Sequence, residues 1–453
     1  MKKILILPIF IMLFTSGCSF SNFNTNNLMH PPKATGEMAQ IQALIEHTVG
    51  EDIIFKYPQN GDFKSAIIMH DLDGDSQDEA IAVYQLASQD TQSYIMVIDK
   101  VGDTWNVIKT IDAKGVDLDK VCFGDINGDN IDDIILGWSS YTSYGKELTV
   151  ILYEDGNYND LTPEETYSDM LVSDFDGDGR SEVLTLSVSK REDTKSDDDA
   201  NKTARARLLK LDSESRKFKA MGSALIDSTV VKYNHTQFGK IDDSQYGAVI
   251  DAITDKGRTM TEIVYWDKAS NRLRVPFYDS QKLSSPEFLR NSIIHSSDIN
   301  NDGIIEIPKV DLADGSSGKF TYVLSWFRHN VDSTKNDYVE SLIMNEKDSY
   351  IFVVPAKWKR STLGNYNIRF GYDYNSRILR IFERVEHDGQ VVKNREFLNI
   401  AVFSKKEFDE LPNKAEYQVL AQEGNRIYTS ITLVEDSELA VSAEEIKNNF
   451  RTI

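Results

Sequence analysis

The chain has 453 residues, of which 40% are hydrophobic and 10% aromatic, enough apolar material for two or three packed domains. With 50 basic against 72 acidic residues, the formal net charge is −22. That balance excludes a nucleic-acid partner, whose phosphates require clustered Lys and Arg.

The first element in chain order is a targeting segment. Lys2 and Lys3 precede an apolar run from Ile4 to Phe14, and Thr15-Ser16-Gly17-Cys18 follows. The run is too short to span a bilayer as a stable helix, so it reads as a secretory signal. Residues 1–18 resemble a bacterial lipoprotein signal, with Thr15 in place of the usual Leu. The resemblance implies that Cys18 is lipidated, becomes the mature first residue and anchors the chain to a membrane at the bacterial cell envelope. Cys122 then has no partner for an internal disulfide, and its alternating apolar neighbours point to a small core residue. Residues 19–34, rich in Asn and Ser and holding Pro31-Pro32, read as a flexible tether. Over residues 35–49, Met38, Ile41, Leu44 and Ile45 have the spacing of a short amphipathic helix.

Residues 50–347 are strand-like and repetitive. Four acidic loops of one design each run into an apolar stretch. The first offers Asp71, Asp73, Asp75 and Glu79, and the second Asp125, Asn127, Asp129 and Asp133. The third offers Asp174, Asp176, Asp178 and Glu182, and the fourth Asp298, Asn300, Asp302 and Glu306. Oxygen donors at loop positions 1, 3 and 5, a backbone carbonyl near 7 and an acid at 9 suit a hard cation, which makes these residues candidate ligands for up to four structural Ca2+ ions. An EF-hand is excluded, because position 12 is Ala82, Leu136, Thr185 or Lys309 and β-like runs follow the loops. The first three loops start about 50 residues apart, and the third interval is about twice that. A degenerate copy fills the gap at Phe238-Gly239-Lys240-Ile241-Asp242-Asp243, with Lys240 at position 1, and is expected to have lost its ion.

Each repeat reads as four strands. The second has Val116–Phe123, Asp133–Trp138, Glu147–Tyr153 and a weaker strand near Tyr158. The last is expected to begin with a strand over Asn291–His295. The run Cys122-Phe123-Gly124-Asp125-Ile126-Asn127-Gly128-Asp129, followed by Asp133-Ile134-Ile135-Leu136-Gly137, resembles the FG-GAP/VCBS repeat of integrin-α-type β-propellers. That resemblance covers about two-thirds of the chain and implies a mainly β fold, a propeller whose simplest count is five blades with the degenerate copy, or six if Glu51–Tyr57 belongs to a further unit. Residues 348–453 lack the repeat and read as a small α+β domain, with helices over Lys405–Leu411 and Ala443–Phe450.

The resemblance also implies a ligand-facing side formed by the loops after the second strands, among them Ser139–Lys146. The Tyr/Ser/Gly content of that loop suits an adaptable recognition surface, so Trp138, Tyr141 and Tyr144 are the candidate contacts for a protein or glycan partner. No HExxH, G-x-S-x-G or phosphate-cradling glycine loop occurs. The expectation is therefore a lipid-anchored, calcium-stabilised binding or scaffold protein. The alternative is an envelope hydrolase or lyase acting on polysaccharide or lipid, since such propellers also accompany these enzymes.

Overall fold

Strand follows strand in register for most of this chain, because its apolar runs are short, β-branched and separated by Asp-, Asn- and Gly-rich turns. The computed structural model describes residues 36–50, 52–89, 91–113, 115–139, 145–189, 203–311, 321–358, 368–387, 390–434 and 436–453. The expected signal segment with Cys18, the expected tether, Tyr141 and Tyr144 lie outside these residues. The fold is mainly β, in several antiparallel sheets, none of which closes on itself.

In the first sheet Ile53–Phe55 and Ile67–His70 lie end to end along Glu79–Leu86, followed by Ser93–Val101 and Thr104–Ala113. The second runs Asp117–Gly124, Asp133–Ser139, Lys146–Glu154 and Asn157–Asp160, with Thr166–Tyr167 beside the start of its third strand. The third is Asp169–Ser173, Glu182–Leu186, Ala204–Asp212 and Lys217–Ile226. The fourth, Val230–Lys240, Tyr246–Thr254, Thr259–Asp267 and Arg272–Arg274, is the degenerate copy.

Neighbouring sheets bury their faces against each other, which explains why the second strands read as continuous apolar runs. Ile81 and Val97 of the first sheet meet Leu136 and Trp138 of the second. Ile135 and Val150 then meet Met170 and Val183 of the third, and Leu184 and Leu208 meet Ile250 and Trp266 of the fourth. Helix α1, Glu37–Val49, lays the fully buried Ile41 and Ile45 on the first sheet and stops at Gly50, whose φ of 71° only glycine adopts without strain.

Three expectations change in the structure. The fifth sheet, Ile307–Asp311, Thr321–Asn330 and Lys335–Asn345, continues through Tyr350–Val353 into Phe450–Thr452, so a boundary at residue 347 falls inside a sheet. Its inner face also packs on a sixth sheet, ordered Ile368–Asp373, Ile378–His387, Gln390–Ser404, Arg426–Thr432 and Gln418–Glu423. Ile343 and Phe352 there share one core with Ile381, Leu398 and Tyr428. Residues 291–295 form no strand: the buried Arg290 guanidinium donates to Ile294 O, and Asp251 accepts the Ser296 N–H, so side chains replace the ladder. Trp138 is only 1% exposed, sits between two sheets and donates its indole N–H to Thr149 Oγ1 at 3.1 Å. It belongs to the core and presents no contact surface.

Glu262, on the third strand of the fourth sheet, is 1% exposed and accepts the Asp227 N–H at 2.9 Å and the Ser285 hydroxyl. Burial, with Asp227 nearby, pushes its carboxyl from 4.5 up to about 8. The folded state therefore holds a proton that the unfolded chain releases, and stability falls as pH rises from about 4.5 through about 8. Glu262→Gln removes the charge at constant shape. It is expected to match the wild type at pH 5 and to exceed it by about 1 kcal/mol or more at pH 8.5, read by urea unfolding at both pH values.

Candidate functional site

The four loops fold alike because the position-1 aspartate organises each one. Asp71 Oδ1 accepts the Gly74 N–H at 2.8 Å and its Oδ2 the Ser76 N–H at 3.0 Å. Asp125 receives Gly128 and Asn130, and Asp174 receives Gly177 and Gly179, in the same pattern. Positions 4 and 6 must turn left-handed to aim these N–H groups inward. Gly74 (φ 80°) and Ser76 (φ 69°) do so in the first loop, and Asn301 (φ 63°) and Gly303 (φ 86°) in the fourth.

The acid at position 9 sits at the root of each loop, on the first residue of the second strand or, for Glu306, next to it. One of its oxygens binds the backbone N–H of position 2: Glu79 to Leu72 at 2.6 Å, Glu182 to Phe175 at 2.8 Å, Glu306 to Ile299 at 3.0 Å and Asp133 to Ile126 at 2.9 Å. The second oxygen differs between loops. In Glu79 and Glu306, each no more than 1% exposed, Oε1 is buried and has no hydrogen-bond partner. Burial, reinforced by the neighbouring aspartates, pushes both carboxyls up to about 7. A buried, half-satisfied carboxylate is costly unless a cation meets it.

The donors around these two oxygens fit such a cation. Oxygens of Asp71, Asp73 and Glu79 lie within 4.8 Å of one another, as do those of Asp298, Asp302 and Glu306. An ion with Ca–O bonds of 2.3–2.6 Å places opposed ligands about 4.6–5.2 Å apart, so both cages are of the right size. The second loop fits less well, because the shorter Asp133 spends its other oxygen on the Tyr153 N–H at 2.8 Å.

The third loop gathers Asp174, Asp176, Asp178 and Glu182 in the same way, but a lysine already stands among them. Lys210 Nζ is 2.6 Å from Asp176 Oδ2, 2.7 Å from Asp178 Oδ2 and 2.8 Å from Glu182 Oε1, the last a charge contact rather than a directed hydrogen bond. Partial burial disfavours its charge, yet the three carboxylates hold the ammonium above the ordinary lysine range. The degenerate copy has a loop one residue shorter and puts Gly247 where the others carry the acid. Its Asp242 is spent on the Ser244, Gln245 and Val331 N–H groups.

Beside the loop system, the first strands of the second, third and fourth sheets border a cavity of about 1030 Å3. Its wall is a ladder of paired polar groups. Asp119, fully buried, accepts from Asn60 and Tyr167 and pairs with Lys146 at 2.7 Å. Asp169 pairs with Lys120 at 2.6 Å and accepts the Thr236 hydroxyl at 2.7 Å. Lys232 and His235 stand at its side, and Ser139, Gly145 and Lys146 bring the flanks of the predicted recognition loop to its edge. No sequence signal marked this cavity, because its residues come from strands far apart in the chain. Cys122 is inert here, burial raising its thiol to about 12.

No family model matches the chain, and no curated protein matches it. Among solved structures it is similar to the exotype rhamnogalacturonan lyase YesX, with 13% identity over 75% of each chain and a TM-score of 0.30. The Bacillus licheniformis rhamnogalacturonan lyase PL11 gives 11% identity over 77% of this chain and 81% of that one, again at 0.30. Saccharomyces cerevisiae Sqt1 gives 8% identity, 76% and 93% coverage and the same score. Likeness at this level carries no argument for fold or activity.

Asp119 ties three elements together across the cavity wall. Asp119→Ala leaves Lys146, Tyr167 and Asn60 without their acceptor, and is expected to cost about 3–5 kcal/mol in urea unfolding.

Proposed function

We propose that this chain is a calcium-stabilised β-propeller, held at the bacterial cell envelope by a lipid on Cys18 and working as a binding or scaffold module rather than a catalyst. The propeller reading is supported by consecutive four-stranded meanders packed face to face, each of the first three rooted in an acidic loop of the repeat. The observation that carries the calcium reading is the pair of buried, unpartnered oxygens on Glu79 and Glu306, each facing further carboxylates. Ca2+ there neutralises charge that folding has removed from water, so it binds the native chain alone and stabilises it by mass action.

A polar cavity bordered by Lys232, Tyr233, Asn234 and His235 offers hydrogen-bonding groups beside aromatic surface, the mixture that suits an envelope glycan or a polar protein segment. Hydrolysis or elimination on polysaccharide is the competing activity, and no constellation of nucleophile and base among the described residues favours it.

Two measurements test this reading. The melting temperature of the purified chain is expected to fall by several degrees in chelator and to be restored by Ca2+ but poorly by Mg2+; an unchanged melt withdraws the calcium assignment. Capture of envelope polysaccharide in calcium is expected to weaken at least about tenfold in a Lys232→Ala/His235→Ala double variant of unchanged melting temperature. Equal capture removes the cavity from the proposal, and sustained release of new chain ends from the polysaccharide would make the protein an enzyme.

A further inference from the structure

The loops share one frame, but the residue facing the position-9 acid across the strand pair differs in every copy. Register places Asp99 opposite Glu79, because Ala80 pairs with Ile98. It places Leu152 opposite Asp133, next to the Ile134–Ile151 pair, and Arg328 opposite Glu306, next to Ile307–Phe327. In the third sheet Val183 pairs with Leu209, which puts Lys210 opposite Glu182. Directly opposed residues of an antiparallel pair project on the same face. Each of these side chains therefore lies on the sheet face that carries its position-9 acid, where Leu152 packs into the apolar core and Lys210 reaches the cage carboxylates.

We propose that the third loop carries its own cation, the Lys210 ammonium taking the place that Ca2+ takes in the first loop. This rests on the reading of the loops as cation sites, and it corrects the motif count. An ammonium has three N–H donors, and Lys210 sets its Nζ 2.6–2.8 Å from three different carboxylates, all belonging to the candidate ligand set. A divalent ion at the same point would meet a fixed positive charge at bonding distance, so the two exclude each other. The first loop is the opposite case. Asp99 adds a further carboxylate beside Asp73 and Glu79, and Glu79 Oε1 remains unpartnered. The fourth is intermediate, since Arg328 faces its cage without meeting Glu306 Oε1. The same motif thus serves in one blade as a metal site and in another as an internal salt-bridge cluster, and one cross-strand residue decides which.

Calcium stoichiometry of the purified wild-type chain and of Lys210→Met, by equilibrium dialysis, tests this. The variant is expected to bind one more Ca2+ per chain than the wild type, and to lose more melting temperature on chelation. Equal, non-zero stoichiometry in both overturns the inference and leaves the calcium reading intact. If the wild type binds none and the variant gains one, the inference stands and the calcium reading of the other loops falls; if neither binds, both fall. Should Lys210→Met not fold, amine acylation of the wild type followed by mass spectrometry answers the same question. Lys210 is expected to stay protected to the same degree with and without Ca2+, whereas a rise in its labelling when Ca2+ is added would show displacement from the cage and overturn the inference.

Discussion

The four acidic loops of this structure turn on a carboxylate placed where water cannot reach it. The position-9 acid lies at the junction of loop and second strand, with neighbours packed on both sides, and one oxygen holds the backbone N–H at position 2. That bond aligns the loop over the strand pair. Its other oxygen is then left in a desolvated, acid-lined space, where it needs a positive charge or a donor. The four loops meet this need in different ways: a gathered set of aspartates that suits a cation, a backbone N–H from Tyr153, or the Lys210 ammonium.

The degenerate copy shows the need from the other side. With Gly247 in the acid's place, there is no charge to neutralise, and a Cβ there would come 2.9 Å from the Cβ of Tyr265. The loop shortens and Asp242 turns outward to hold Val331, near the fifth sheet. The sheet itself keeps its four strands and its packing on the third. Strand pairing and face-to-face burial therefore do not require the acid; its presence adds a charge that must be met, and with it a dependence on whatever meets it.

The cavity obeys the same rule of burial with full pairing. Asp119 and Asp169 are deep in the wall, and each is surrounded by donors from other strands or loops, so these charges are already satisfied and serve to align the sheets. The groups left to meet a ligand are those nearer solvent, Lys232 and His235, and the flanks of the loop after Ser139.

The repeat, its strands and the candidate ligands were legible in the sequence because they are local: period-two alternation, turn residues and oxygen donors at fixed offsets need only neighbouring residues to be recognised. Helix α1, Glu37–Val49, falls within the expected residues 35–49 and is ended by Gly50. Three things were not legible. Trp138 borders a Tyr- and Ser-rich loop, yet its side chain points between two sheets, and only the stacking of those sheets decides that. The strand Tyr350–Val353 looks like the start of a new domain, but its edge is completed by Lys335–Asn345 on one side and Phe450–Thr452 on the other, a pairing made about 100 residues apart. Lys210 is one lysine among many until register sets it opposite Glu182. The loop chemistry is local, since each candidate ligand set is written in adjacent residues. Only the tertiary structure decided which loops have an oxygen still unsatisfied, because the charge facing each one arrives from the next strand.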